Sequence, residues 1–165
     1  TENRRETGFM HNFEIWRNIA VARSLKQSRL EGTWGLTNQK REIALAEQFS
    51  KKMRVKCTSV TQMITTLSGG NQQKVVIAKW IETEPKILIL NSPTVGVDVG
   101  SKADIHAYAR KLADAGMGVI IISDDISEVL QNCNRILVMN KGHITHTCDT
   151  SGMTDSGLNE MLVEG

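Results

Sequence analysis

Aromatic residues make up only 4% of this 165-residue chain, so a core must rest on Ile, Leu, Val, Ala and Met, as in sheets covered by helices. With so few rings interleaved among its charges, the chain lacks a stacking platform for nucleic acid, and no nucleic-acid partner is expected. Cysteine is scarce too: Cys57, Cys133 and Cys148 are scattered, odd in number and outside any CxxC spacing. That excludes a disulfide framework or a zinc site and fits a reducing compartment, with the cytoplasm as the default. No apolar run approaches the roughly 20 residues of a spanning helix, and the polar start "TENRRETGF" does not read as a secretory signal.

What is present fits one domain-sized chain with 40% apolar residues. Twelve Lys and Arg face six Asp and Glu in residues 1–60, a balance of +6, and eight face twelve in the remainder, −4. The basic first third reads as a solvated helical surface, with acidic protein loops or lipid head groups as alternative contacts. Residues 12–26 and 38–55 read as helices, with "SRLEGTWGLT" a loop between them; Ile43, Ala46, Phe49 and Met53 return to one face of the second. From residue 68 the character changes. A helix over 72–84 closes at Glu84-Pro85, and "KILIL" follows as a buried strand. Helices at 101–115 and 126–132 then alternate with strands at 119–122 and 135–139, the order of a mostly parallel sheet with helices on its faces. "NKGH" marks a turn into one more strand, and a terminal helix is expected over 153–163.

Chemistry concentrates in "LSGGNQQKVVIAKW", Leu67 to Trp80. Two glycines before an amphipathic helix let backbone approach a ligand closely, and the helix start offers N–H groups and partial positive charge to a phosphate. Ser68 adds a hydroxyl; its bland alternative is an ordinary helix cap. A second site candidate is the strand end "ILILNSP". Ligands of open α/β sheets sit at the carboxyl ends of strands, which places Asn91 there, and Asp124 after "VIIIS" at the same edge. Asp124-Asp125 also suits capping of the next helix. "HITH" is discounted as a metal pair because residues three apart in a strand face opposite sides. Trp16, Trp34 and Trp80 are read as core or subunit-contact residues.

Leu-Ser-Gly-Gly-Asn-Gln-Gln-Lys resembles the signature motif of ABC-transporter ATPases, in the form typical of simple-sugar importers whose ATPase subunit fuses two nucleotide-binding domains. "PKILILNSPTVGVDVGSKADI" is similar to the family's Walker B strand and D-loop, and "GVIIISDDISEVLQNCNRILVMNKGHI" to its switch strand and last core strands. The resemblance covers nearly the whole chain and favours the second domain of the fused subunit. It implies a partial P-loop NTPase fold: a loop and helical subdomain over 1–67 that faces the permease, then signature helix, Walker B strand, D-loop, switch strand and C-terminal sheet over 68–165.

By the same resemblance Ser68, Gly69, Gly70, Asn71 and Gln72 contact a nucleotide bound to a partner domain. Asp98 is the D-loop aspartate, Asp124 stands at the switch position and Glu2 at the glutamine-loop position. The Walker B strand is degenerate: the family's Asp-Glu is replaced by Asn91 and Ser92, a neutral amide and a neutral hydroxyl where magnesium and the attacking water call for carboxylates. Nor does the chain contain G-x-x-x-x-G-K-[ST]; "GVDVGSK" has its glycines one position too close. The expectation is therefore the C-terminal portion of a nucleotide-binding domain, inactive alone and without tightly bound cofactor. In the full assembly it would work with ATP and Mg²⁺, a second nucleotide-binding domain, membrane permease subunits and, indirectly, a sugar-binding protein, at the cytoplasmic face of the membrane. The alternatives are a non-catalytic regulatory or structural remnant of an ABC domain, or a soluble ABC protein of repair or translation, which the GNQQK form disfavours.

Overall fold

The computed structural model describes residues 8–31 and 38–164. Residues 1–7, which include Glu2, residues 32–37, which include Trp34, and residue 165 lie outside them. The chain forms two compact units, 1–120 and 121–165.

The first unit starts with helices α1 (Ile15–Glu31) and α2 (Gln39–Lys52), and α1 packs on both α2 and α3 (Gly69–Ile81). A helix start leaves its first N–H groups without intrahelical partners. Here a later loop supplies two: Ile15 N donates to Gln62 O at 3.0 Å and Trp16 N to Val60 O at 3.0 Å. Buried Asn18 ties down the incoming segment, accepting from Met10 N at 2.7 Å and donating to Met10 O at 3.1 Å. α1 runs on into the stretch expected as loop, to Glu31. α2 buries Ala46 and Phe49 on the expected face, with Met53 just beyond its end. It is shorter than expected because Arg54 turns left-handed, φ 51°.

α3 begins at Gly69, three residues earlier than expected, and ends at Ile81; Glu84 turns left-handed at φ 49° before Pro85. Strand β1 (Ile87–Asn91) neighbours β2 (Gly118–Ile122), with α4 (Val99–Asp114) between them in sequence, the kind of crossover that parallel neighbours need. Gly118 N donates to Lys86 O at 3.0 Å. The strand expected as buried is covered on one face only: Leu88 and Leu90 are buried, whereas Ile87 and Ile89 are 60% and 61% exposed. The cause is the size of the sheet, two strands among the described residues.

In the second unit α5 (Ile126–Asn132) precedes the antiparallel hairpin β3 (Arg135–Asn140) and β4 (His143–Asp149), followed by α6 (Asp155–Glu164). Lys141 and Gly142, both at positive φ, make the tight turn at "NKGH". Ile136, Val138 and Leu158 form its core, packed by Ile126, Val129, Leu130 and Met161. Among the described residues the strands pair as β1 with β2 and β3 with β4.

Candidate functional site

Ser68 is extended and exposed at the N-cap position of α3, but its hydroxyl caps no backbone N–H. It accepts instead from Asn71 Nδ2 at 2.8 Å. Asn71 is buried, and its Oδ1 accepts from Lys56 N at 2.8 Å, which pins the chain after α2 to the turn. Gln72 Nε2 donates to Ile64 O at 3.4 Å. Both amide side chains therefore work inside the fold. The hydroxyl and the first N–H groups of α3 are left at the helix start, where partial positive charge favours an anionic oxygen.

Gly70 is buried because α4 begins against it. A Cβ there would lie 2.6 Å from Asp98 Oδ2 and 2.6 Å from Ser101 Cβ. Asp98 is the N-cap of α4, accepting from Ser101 N at 2.9 Å. That backbone bond, joined by the Ser101 hydroxyl, holds its carboxyl below the usual range. The fold thus brings together two stretches singled out separately in sequence, Ser68–Gly70 and Asp98.

Beneath this contact lies a charge that sequence reasoning passed over. Lys74 is buried, and its Nζ donates to Asp104 Oδ2 at 2.7 Å and to Arg54 O at 3.2 Å. Arg54 also reaches Asp104 Oδ1 at 3.2 Å with its guanidinium. The Lys74 hydrogen bond is the main reason that the Asp104 carboxyl lies below its ordinary value. A signal was available: Lys74 falls on the stripe of Gly70, Ala78 and Ile81, all buried, where a charge stands out.

At the end of β1, Asn91 and Ser92 are half-buried, and Ser92 takes a left-handed φ of 47°. The Ser92 hydroxyl donates to Asn91 Oδ1 at 3.4 Å, and Val95 N donates to Ser92 O at 3.4 Å. This is a turn closed on itself. It offers Mg²⁺ no carboxylate, so the donor set does not fit the ion, whereas the start of α3 fits a phosphate oxygen.

Asp124 belongs to the second unit and is exposed. Next to it Asp125 caps α5, accepting from Glu128 N at 3.1 Å, while Ser123 donates its hydroxyl to the Glu128 carboxylate. Trp16 is buried; Trp80 is 47% exposed under the Lys79 ammonium. Among the described residues no three His, Cys, Asp or Glu cluster so as to hold a metal ion. No helix among them is long and apolar enough to cross a membrane.

The class of protein that carries such a signature turn, and such a strand running into a tight turn, is given by comparison with known proteins: it is the ATP-binding cassette fold. The family profile described as "ABC transporter" matches residues 2–95, and the chain belongs to that family. It is 44% identical over 145 residues to the D-allose import ATP-binding protein AlsA of Escherichia coli (strain K12), covering 88% of this chain and 28% of the relative. It is 40% identical over 164 residues to the L-arabinose transport ATP-binding protein AraG of Geobacillus stearothermophilus, covering 99% and 31%. The chain spans about three tenths of the length of these relatives. Among solved structures, a dimeric ATP-binding cassette bound to ADP and Pi superposes with a TM-score of 0.74 at 20% identity, covering 88% of this chain and 60% of that one. That likeness concerns the fold.

Proposed function

We propose that the chain is the signature-bearing part of the ATP-binding subunit of a sugar importer, completing a nucleotide site whose phosphate loop belongs to a partner domain. The observation that carries it is a contrast within one unit. The start of α3 keeps the Ser68 hydroxyl exposed beside two glycines, while the end of β1 holds only the neutral Asn91 and Ser92.

On this reading Ser68 and the N–H groups at Gly69 and Gly70 meet the terminal phosphate of an ATP held in trans, where fixed donors stabilise developing negative charge. Asn71 and Gln72 shape the turn from inside, and Asp98 sets the contact between the turn and α4. By the resemblance Glu2 stands at the glutamine-loop position and Asp124 at the switch position, where a carboxylate repels phosphate rather than holding it. The site built on Asn91 and Ser92 is inactive, so ATP and Mg²⁺ are used only in the full assembly. Partners are a second nucleotide-binding domain and membrane permease subunits, with a sugar-binding protein engaged indirectly, at the cytoplasmic face of the membrane. The basic helical segment that includes α1 and α2 faces the permease.

Ser68→Ala in the assembled importer tests this reading, because the hydroxyl caps no helix N–H and its loss costs the turn one hydrogen bond, that from Asn71 Nδ2. ATP hydrolysis should fall roughly 100- to 1,000-fold, the effect of removing one preorganised donor. Hydrolysis within a few-fold of the unsubstituted assembly would sink it.

A further inference from the structure

The ion pair under the signature turn has no part in the phosphate contacts, yet its construction is unusual. The Lys74 side chain is 2% exposed and that of Asp104 24%. An ammonium is costly to bury, and an apolar side chain would fill the slot without that cost. What lysine adds is direction. Two of its donors have fixed partners on two other segments: Asp104, in the second turn of α4, and the carbonyl of Arg54, the left-handed residue beyond α2.

Lys74 lies one helical turn beyond Gly70, so it leaves α3 on the face where Gly70 meets Asp98. Asp104 stands six residues after the Asp98 cap, in the second turn of α4. The pair therefore spans the same α3–α4 junction as the glycine contact, lower down. The bond from Lys56 N to Asn71 joins the third segment to the turn from the other side. Arg54 closes the triangle, its guanidinium on the second oxygen of Asp104.

We propose that Lys74 and Asp104 are positioning residues, an ionic strut that fixes the signature turn against the start of α4 and the end of α2 so that Ser68 meets a partner-held nucleotide in one geometry. Its catalytic consequence rests on the nucleotide-contacting role of that turn. The strut itself is a property of the chain.

Two measurements separate the role from mere stability. In the chain itself, hydrogen exchange is followed at the amides of Lys56 and Ser101, which the side chains of Asn71 and Asp98 hold. Lys74→Met and Asp104→Asn should each speed exchange there about tenfold, a local opening that leaves the β3–β4 hairpin unchanged. Lys74→Arg should preserve the original rates. In the assembled importer the same two variants should lower kcat about 10- to 100-fold with KM for ATP unchanged, since misplacement at a distance harms the reacting geometry and not the bound nucleotide. Lys74→Arg should restore kcat.

Unaltered exchange at both amides in both variants would overturn the strut, and an unaltered kcat would overturn its positioning role. If Lys74→Met fails to fold, Asp104→Asn carries the same readouts from the more exposed end of the pair. An unsubstituted assembly that hydrolyses no ATP would overturn the importer reading, while the exchange rates still judge the strut.

Discussion

Gly70 and Asp98 are in contact at the distance of a missing methyl group: a Cβ on the glycine would stand 2.6 Å from the aspartate Oδ2. The second signature glycine is thus required by this chain's own packing, whatever it does for a nucleotide. Gly70→Ala should destabilise the chain by about 1–3 kcal/mol, the usual cost of overpacking. The better helix propensity of alanine, about 1 kcal/mol, opposes this and does not reverse it. Urea unfolding checks the sign, and a stabilised variant would show that α4 yields. It follows that a large residue at position 70 disturbs the fold itself, so Ser68→Ala is the cleaner functional probe.

Two carboxylates of the first unit should carry opposite pH dependences. Lys74 holds Asp104 below its unfolded value, so its contribution is present above about pH 3.9 and fades as pH falls through the folded value. The stability lost in Asp104→Asn should therefore shrink in acid. Glu82 runs the other way: burial raises it, more than the paired Arg23 lowers it, and its second oxygen has no partner. Its contribution is full below about pH 4.3 and is lost as pH rises through the folded value. The advantage of the natural chain over Glu82→Gln should accordingly decline from pH 4 to 7. Unfolding free energies measured from about pH 2 to 7 decide both signs.

The isolated chain should release no phosphate from Mg-ATP above a boiled control. Converting the strand end with Asn91→Asp and Ser92→Glu should not change that, because no phosphate loop is present to hold the nucleotide. In the assembly, Asn91→Ala and Ser92→Ala should matter far less than Ser68→Ala. Turnover by the chain alone, proportional to its concentration, would refute the division of labour.

Ile87, Ile89 and Ile120 leave an apolar sheet face open, 60%, 61% and 49% exposed. A two-stranded sheet with such a face invites association. Light scattering should show an average mass that rises with concentration, and Ile87→Thr with Ile89→Thr should lower it. A strict monomer at high concentration would contradict this expectation.

Much of this architecture was legible because local chemistry decides it. α5 follows its bounds, Ile126–Asn132, from the Asp125 cap, and the "NKGH" turn follows from the positive φ that Gly142 accepts. Non-local partners hid the rest. α3 starts as early as Gly69 and α4 packs against the bare Gly70, while Ser68 gives up its cap because Asn71 claims the hydroxyl. The apolar "KILIL" run reads as doubly buried, yet what covers a strand is decided by elements far away in sequence. Lys74 was missed because its partner stands thirty residues on.

That separation bears on the order in which the chain is made. Synthesis from the N-terminus delivers α3 before Asp104 exists, so Lys74 has the Arg54 carbonyl available, twenty residues back, but no anion. A buried ammonium without a counter-charge is unfavourable, so α3 settles against its neighbours only once α4 has emerged. The signature turn, though encoded ahead of Asp104, is finished after it.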